Sequence, residues 1–172
     1  MKNTILLAIL LVAVGIQANA QKNVIKFNPL PLILGTAELD YERVVTGHTS
    51  FQIELGYTTL NFESSDGEKD NYDGFSIGAQ YRFYLQEKYE APQGWFGAPY
   101  IGYSAAKYND EDLKYNVFSI GGVIGYQWQL SPVAIDLYFG PGYFNRNADD
   151  SSFDVGFNGL GLKAGFAIGI AF

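Results

Sequence analysis

The sequence predicts an all-β fold: eight antiparallel strands closed into an up-and-down transmembrane β-barrel, preceded by a cleavable signal peptide. Three observations carry that expectation. The first is the final stretch, where Leu160, Leu162, Ala164, Phe166, Ile168, Ile170 and Phe172 alternate with Gly161, Lys163, Gly165, Ala167, Gly169 and Ala171. Strand side chains alternate between faces, so this segment presents one apolar face and one that is small or charged. Such a strand suits a wall between lipid and a tightly filled interior. The second is composition: aromatic residues at 16% and 20 glycines are high, and charged residues at 17% are low against the usual ~25%. The third is the N-terminus, where Lys2, an apolar run from Ile5 to Ile16 and Ala18-Asn19-Ala20 read as a signal peptide over residues 1–20. The run falls short of the ~20 apolar residues a helical span needs.

Residues 21–172 then form one domain, the barrel. No cysteine is present, which leaves neither a disulfide nor a lipid-anchored cysteine. A net charge of −7 with scattered basic residues argues against nucleic acid as a partner.

Each strand follows from alternation and turn chemistry. Asn23 to Leu34 is apolar and reads as strand one, bulged because Pro29 and Pro31 each lack a ladder donor. Gly35 offers the turn. Strand two, Thr36 to Val45, sets Ala37, Leu39, Tyr41 and Val45 against Glu38, Asp40 and Glu42. After the turn Thr46-Gly47-His48-Thr49, strand three sets Phe51, Ile53, Leu55 and Tyr57 against Gln52, Glu54, Gly56 and Thr58. Glu63 to Asn71 is charged and turn-rich, a solvated loop. Strand four, about Asp73 to Gln86, alternates Phe75, Ile77, Ala79, Tyr81, Phe83 and Leu85 with Ser76, Gly78, Gln80, Arg82 and Tyr84.

The alternation is poorer in strand five, about Phe96 to Tyr108, and Asn109 to Lys114 forms a second charged loop. Strand six, about Tyr115 to Leu130, places Ile120, Ile124, Tyr126, Trp128 and Leu130 opposite Gly121, Val123, Gly125, Gln127 and Gln129. A tight turn at Ser131-Pro132 leads to strand seven, where Val133, Ile135, Leu137 and Phe139 oppose Ala134, Asp136 and Tyr138. An irregular stretch from Asn145 to about Asn158 precedes the closing strand, which should pair with strand one. Tight turns on one side and longer acidic connections on the other match the periplasmic turns and outer loops of membrane barrels, with the very short outer turn at Gly35 and the longer inner connection Glu87 to Gly94 as exceptions. Aromatic residues near strand ends, namely Tyr57, Phe62, Tyr72, Phe75, Trp95, Phe96, Tyr108, Tyr126, Trp128, Tyr143 and Phe144, read as interfacial girdles.

The alternating last strand, with Lys163, Gly165, Ile168, Ile170 and terminal Phe172, resembles the C-terminal recognition signal of Gram-negative outer-membrane barrels. Across residues 21–172 the pattern resembles small eight-stranded barrels of the OmpX and OmpA-transmembrane-domain type. The stretches Asn23 to Pro29, Glu38 to Arg43 and Tyr81 to Tyr84 also resemble a family of short outer-membrane barrels of unassigned function. The resemblance implies location in the bacterial outer membrane, contact with its lipids and lipopolysaccharide, and assembly through Gly165, Ile168, Ile170 and Phe172. It brings no catalytic motif.

If the apolar faces meet lipid, Glu38, Asp40, Glu42, Glu54, Arg82, Asp136 and Lys163 meet inside. Buried charges must pair, so Arg82 and Lys163, with Lys26, are expected to face this excess of carboxylates and plug the barrel. An ion path or catalytic carboxylate pair is the sharper alternative. A soluble lipocalin-like barrel would turn the apolar face inward and bind or carry a small apolar ligand. An enzyme is disfavoured: His48 is the single histidine and sits in a turn. With no cysteine and no histidine cluster, neither a zinc site nor a cofactor is expected. Three acidic groups, Asp66, Glu68, Asp70 and Asp73, then Asp110, Glu111 and Asp112, then Asp149, Asp150 and Asp154, fall on the outer rim. Solvated charge explains them; divalent cations bridging lipopolysaccharide phosphates are the alternative. The sequence favours a monomeric barrel with a structural or surface-interaction role.

Overall fold

The computed structural model describes residues 22–63, 69–86, 88–108, 113–148 and 158–172. The signal peptide and the acidic residues Asp66, Glu68, Asp110, Glu111, Asp112, Asp149, Asp150 and Asp154 lie outside the described residues, as do the side chains of Phe62, Asp70, Tyr72 and Tyr108.

Eight antiparallel strands form a closed barrel in chain order: β1 (Asn23–Asn28), β2 (Thr36–Thr46), β3 (Thr49–Glu63), β4 (Lys69–Tyr84), β5 (Gly94–Tyr108), β6 (Leu113–Leu130), β7 (Val133–Ala148) and β8 (Gly159–Ala171). Every strand pairs with its sequence neighbour, and β8 returns to β1 with Val24 opposite Ala171 and Phe27 opposite Ile168. Closure matters physically because an open sheet would leave two rows of unpaired amides and carbonyls. Backbone bonds between Asn23 and Phe172, at 2.8 and 3.0 Å, complete the seam.

The faces settle which way the wall is turned. Outward-pointing Leu39, Leu55, Ile77, Ile101, Ile120, Leu137 and Ile170 are each about half exposed, while Glu42, Gln52, Arg82, Gln127 and Asp136 are completely buried. This is the reverse of a lipocalin-like barrel, whose apolar face would line the interior. Trp95 meets Tyr126 edge-on at 5.3 Å, and Tyr126 lies 4.6 Å from Trp128, on the outer surface near the end that carries the chain termini.

Several sequence expectations change. Strand one does not reach Leu34: it stops at Asn28, and Leu30–Leu34 form a 3₁₀ turn ended by Gly35 at φ 72°. Two prolines without amide hydrogens favour a turn over a bulged strand. Glycine is suited to the left-handed terminus because it has no Cβ. The first connection is therefore longer than a bare Gly35 turn. Strands also run further than their alternation. β4 begins at Lys69 inside the expected loop, β6 at Leu113, and β7 continues to Ala148 through the stretch read as irregular. Beyond the apolar band both faces can be polar, so the pattern fades before the ladder does.

Two girdle assignments are corrected. Phe96 is fully buried in the barrel, and Phe144 shares the inward phase of β7 with Tyr138. Both rings point at glycines of a neighbouring strand, Gly125 for Phe96 and Gly161 for Phe144. Aromatics fit inside this narrow lumen where the strand beside them has no side chain.

Candidate functional site

The lumen is built from the inward residues of all eight strands, and its charges fall into two layers. In the layer nearer the chain termini, β1 supplies Lys26, β2 Glu42, β4 Arg82 and β7 Asp136. Lys26 Nζ lies 2.6 Å from Glu42 Oε2 and 2.7 Å from Asp136 Oδ2, and Arg82 Nη1 lies 2.6 Å from Asp136 and 3.6 Å from Glu42. Two cations thus meet two carboxylates with no exposed side-chain surface. A buried ion pair tolerates desolvation only when its remaining hydrogen-bonding capacity is met; the neighbours meet part of it, while Arg82 Nη2, Gln127 Nε2 and Asp136 Oδ1 are buried without a hydrogen-bond partner. Lys26 donates to Gln52 at 2.8 Å and Gln127 at 3.1 Å, while Tyr84 donates to Glu42 at 2.7 Å. Ser50 also donates to Glu42. The Arg82 guanidinium carbon rests 4.3 Å from the Phe96 ring centroid, a cation–π contact strengthened by the full burial of both groups.

Towards the other end, the balance is different. Lys163 of β8 lies 2.6 Å from Glu54 Oε2 of β3. Glu54 also accepts from Gln80, Gln52 and Tyr138. Glu38 accepts from Asn28 Nδ2 at 2.7 Å. Asp40 is 1% exposed; its Oδ2 takes a long bond from Gln52 at 3.4 Å, and its Oδ1 is buried without a donor. Lys26, although opposite Asp40 in the ladder, turns its ammonium away to Glu42 and Asp136.

All seven residues assigned to the interior from sequence therefore face the lumen, in two clusters rather than one. The resemblance also marked Gly165, Ile168, Ile170 and Phe172. Ile168 and Ile170 are on the outer face, Phe172 joins the seam through its backbone, and Gly165 is buried under the ring of Tyr138. A Cβ at Gly165 would meet Tyr138 Cε1 at 2.5 Å, so this glycine has a packing reason independent of any signal. The small inner face of β8 accommodates Tyr138 at Gly165 and the stem of Lys26 at Gly169.

Lys26, Gln52, Tyr84 and Gln127 complete the plug; the inward phases of Gln52, Tyr84 and Gln127 are readable in strands three, four and six, and Lys26 is expected as a partner of the carboxylates. Lys26 stands between outward Ile25 and Phe27, so its phase was readable, but a six-residue strand gives little alternation to weigh. His48 is exposed in the β2–β3 turn, where its backbone amide donates to Thr46.

Above Lys163 and Glu54 the lumen opens into a cavity of about 270 Å³. Glu38, Glu54 and Lys163 form its charged lining, Tyr138 and Phe144 its aromatic wall. On the opposite side β4, β5 and β6 contribute Ser76, Ser104 and Ser119 with Gly78 and Gly102. These small residues create the space: Ser76 faces Ser104 and Gly78 faces Gly102 in the ladder, so no large side chain enters from three adjacent strands.

Comparison with known proteins agrees with the architecture. The outer membrane protein Ail of Yersinia pestis, whose backbone structure was determined in a phospholipid bilayer nanodisc, superposes with a TM-score of 0.50 at 15% identity. The match covers 88% of this chain and 99% of Ail. At that identity the likeness is one of fold. No curated protein matches the sequence. Residues 5–167 match the family described as "Protein of unknown function (DUF3575)", and with nearly the whole chain covered, the protein belongs to that family.

Proposed function

We propose that the protein spans the bacterial outer membrane as a side-chain-filled barrel without an open pore, and that it has a structural or surface-interaction role rather than an enzymatic one. The observation that carries this reading is the inversion of polarity: an apolar, aromatic-rimmed exterior around a fully buried ionic plug. Water would strip no cost from that exterior, whereas lipid hydrocarbon matches it. An eight-stranded barrel is just wide enough for its own side chains to fill, and the Lys26–Glu42–Arg82–Asp136 cluster occupies the lumen across its section.

The end bearing the start of β1, the close of β8 and the two-residue β2–β3 and β6–β7 turns is assigned to the periplasm, the end bearing the cavity to the exterior. Contacts with lipid and lipopolysaccharide follow from the apolar belt, and the β8 pattern is the surface offered to an assembly machinery. The absence of enzymatic activity is supported by the exposed position of His48, away from the buried carboxylates. Fractionation tests the location: a heat-modifiable band in detergent-extracted outer membrane is expected, and recovery in the soluble periplasm would overturn it. Planar-bilayer recording tests the plug, with no stepwise conductance above background expected and regular steps refuting it.

A further inference from the structure

On the outer surface the apolar belt ends at one level on three adjacent strands. β5 climbs about 25 Å from Trp95 to Ala105, at about 3.3 Å per residue and a tilt of about 40°, which is the height of a membrane barrel's apolar band. The next outward residue is Lys107. On the strands either side the same phase passes from Phe75 to Asp73 and from Phe118 to Asn116. Asp73 stands opposite Lys107 in the β4–β5 ladder, and Ala105 lies between Phe75 and Asn116. Ala105 is the small residue of this group, and a recess of about 270 Å³ opens over it, walled by Tyr57, Asp73, Phe75, Lys107 and Asn116. Residues opposite one another across an antiparallel ladder have Cβ atoms about 5 Å apart, well within a lysine's reach of a carboxylate. Asp73 and Lys107 are both exposed, yet among the described residues neither forms an ion pair, with the other or elsewhere. Asp73 accepts a long bond from Tyr57 at 3.4 Å.

We propose that this recess seats a lipid headgroup carrying both a phosphate and a primary ammonium, with the phosphate at Lys107 and the ammonium at Asp73. Charge complementarity selects the class. In phosphoethanolamine one ethylene unit separates the two ionic groups, so a single headgroup presents opposite charges side by side, as the recess does. A purely anionic headgroup satisfies Lys107 and is repelled by Asp73. Tyr57 and Phe75 offer ring faces to the ammonium. Asn116 accepts from Tyr103 at 3.1 Å through its Oδ1 and has amide N–H groups to offer a phosphate oxygen. The level of the recess agrees: immediately beyond the apolar band, where aromatic rims meet headgroups, a lipid presents its phosphate and not its chain. A second copy of the barrel fits less well, because two concave faces brought together leave their space unfilled, against the close packing that stable contacts need. The inference rests on the membrane-spanning reading and adds which lipid the rim selects.

The test reconstitutes the barrel in bilayers of phosphatidylethanolamine and phosphatidylglycerol, in equal amounts and with identical acyl chains. The protein is then extracted into mild detergent and its retained lipids are counted by native mass spectrometry. Phosphatidylethanolamine should be retained over phosphatidylglycerol by about twofold to fivefold, the worth of one exposed ion pair. Asp73→Asn should abolish that preference by admitting phosphatidylglycerol. Lys107→Gln should lower retention of both lipids, since both carry the phosphate. This split between the two variants is one that general damage to the wall would not produce, and heat modifiability on gels confirms that each is folded. Lys88→Gln, which changes an exposed lysine of the inner connection, should alter neither quantity. Equal retention of the two lipids by the native barrel, or a preference that survives Asp73→Asn, would overturn the headgroup site. A dimer peak lost in both variants would assign the face to a second copy and overturn it as well. A barrel that does not enter the bilayers at all would instead overturn the membrane-spanning reading, and this proposal with it.

Discussion

Replacing Lys26 by methionine keeps much of the side-chain volume and removes one of two cations from the inner layer. Lys26 Nζ is 2.6 Å from Glu42 and 2.7 Å from Asp136, whereas Arg82 Nη1 is 2.6 Å from Asp136 but 3.6 Å from Glu42. After Lys26→Met, Asp136 therefore keeps its close partner and Glu42 does not. Stranding one buried charge costs about 3–5 kcal/mol, roughly two to four decades in the folding equilibrium. If charge balance is the cause, Glu42→Gln in the same chain should restore half or more of that loss, since an amide can accept from Ser50 and Tyr84 without a net charge. Asp73→Asn makes the same change in total charge on the exposed surface and should restore nothing. The assay is urea titration of the barrel in micelles, read as the heat-modifiable band shift and extrapolated linearly. A double variant as unstable as the sum of its two single variants would refute the reasoning, because independent packing losses would then account for both.

Three further expectations follow from the same geometry. Gly165→Val drives a side chain into the Tyr138 ring and should destabilise the barrel by about 1–3 kcal/mol; Tyr138→Ser in the same chain should give a smaller loss than the two changes added, and strict additivity in the urea assay would refute the contact. Phe172→Ala retains the backbone bonds to Asn23, so the assembled barrel should lose less than about 1 kcal/mol while its yield in the outer membrane falls; equal yield with and without the ring would remove the assembly role proposed for β8. Trp95 and Trp128, the chain's 2 tryptophans, are 47% and 41% exposed on the outer face, and their fluorescence should be quenched by lipids brominated near the headgroup; unquenched emission in such bilayers would argue against a lipid-facing girdle.

The period-two alternation of β2, β4, β6 and β8 made the strand count and the two faces readable from sequence. It worked because each carries large apolar residues on one side and glycine, serine or charge on the other, and a one-residue slip would put carboxylates into lipid. It failed where that contrast is missing. β1 offers six residues before its prolines, which leaves the 3₁₀ turn unannounced, and β5 mixes Phe96 and Tyr100 with outward Trp95 and Ile101. Inward charge at Glu38, Asp40, Glu42, Glu54, Arg82, Asp136 and Lys163 was legible from phase alone. Their division into a matched and an unmatched layer was not, because it depends on Lys26 reaching past its ladder neighbour Asp40 to Glu42 and Asp136. Side-chain direction along the barrel axis has no counterpart in strand periodicity.

The β1–β8 seam has four ladder positions, from Val24–Ala171 to Phe27–Ile168, and the Asn23–Phe172 backbone pair, whereas β7 and β8 remain paired from Val133 to Phe144. Two termini almost a chain length apart must meet for the cylinder to exist, and loop-closure entropy opposes that meeting before any contact rewards it. Seam closure is then expected to be the last event of assembly and the first to reverse. Slow amide exchange should be least at β1 and at the adjoining edge of β8, and an incoming strand from an assembly partner would find its hydrogen-bonding template there. On the proposed outer-membrane reading, the same short clasp that makes the barrel a closed object would let it be handed over, edge first, into a membrane.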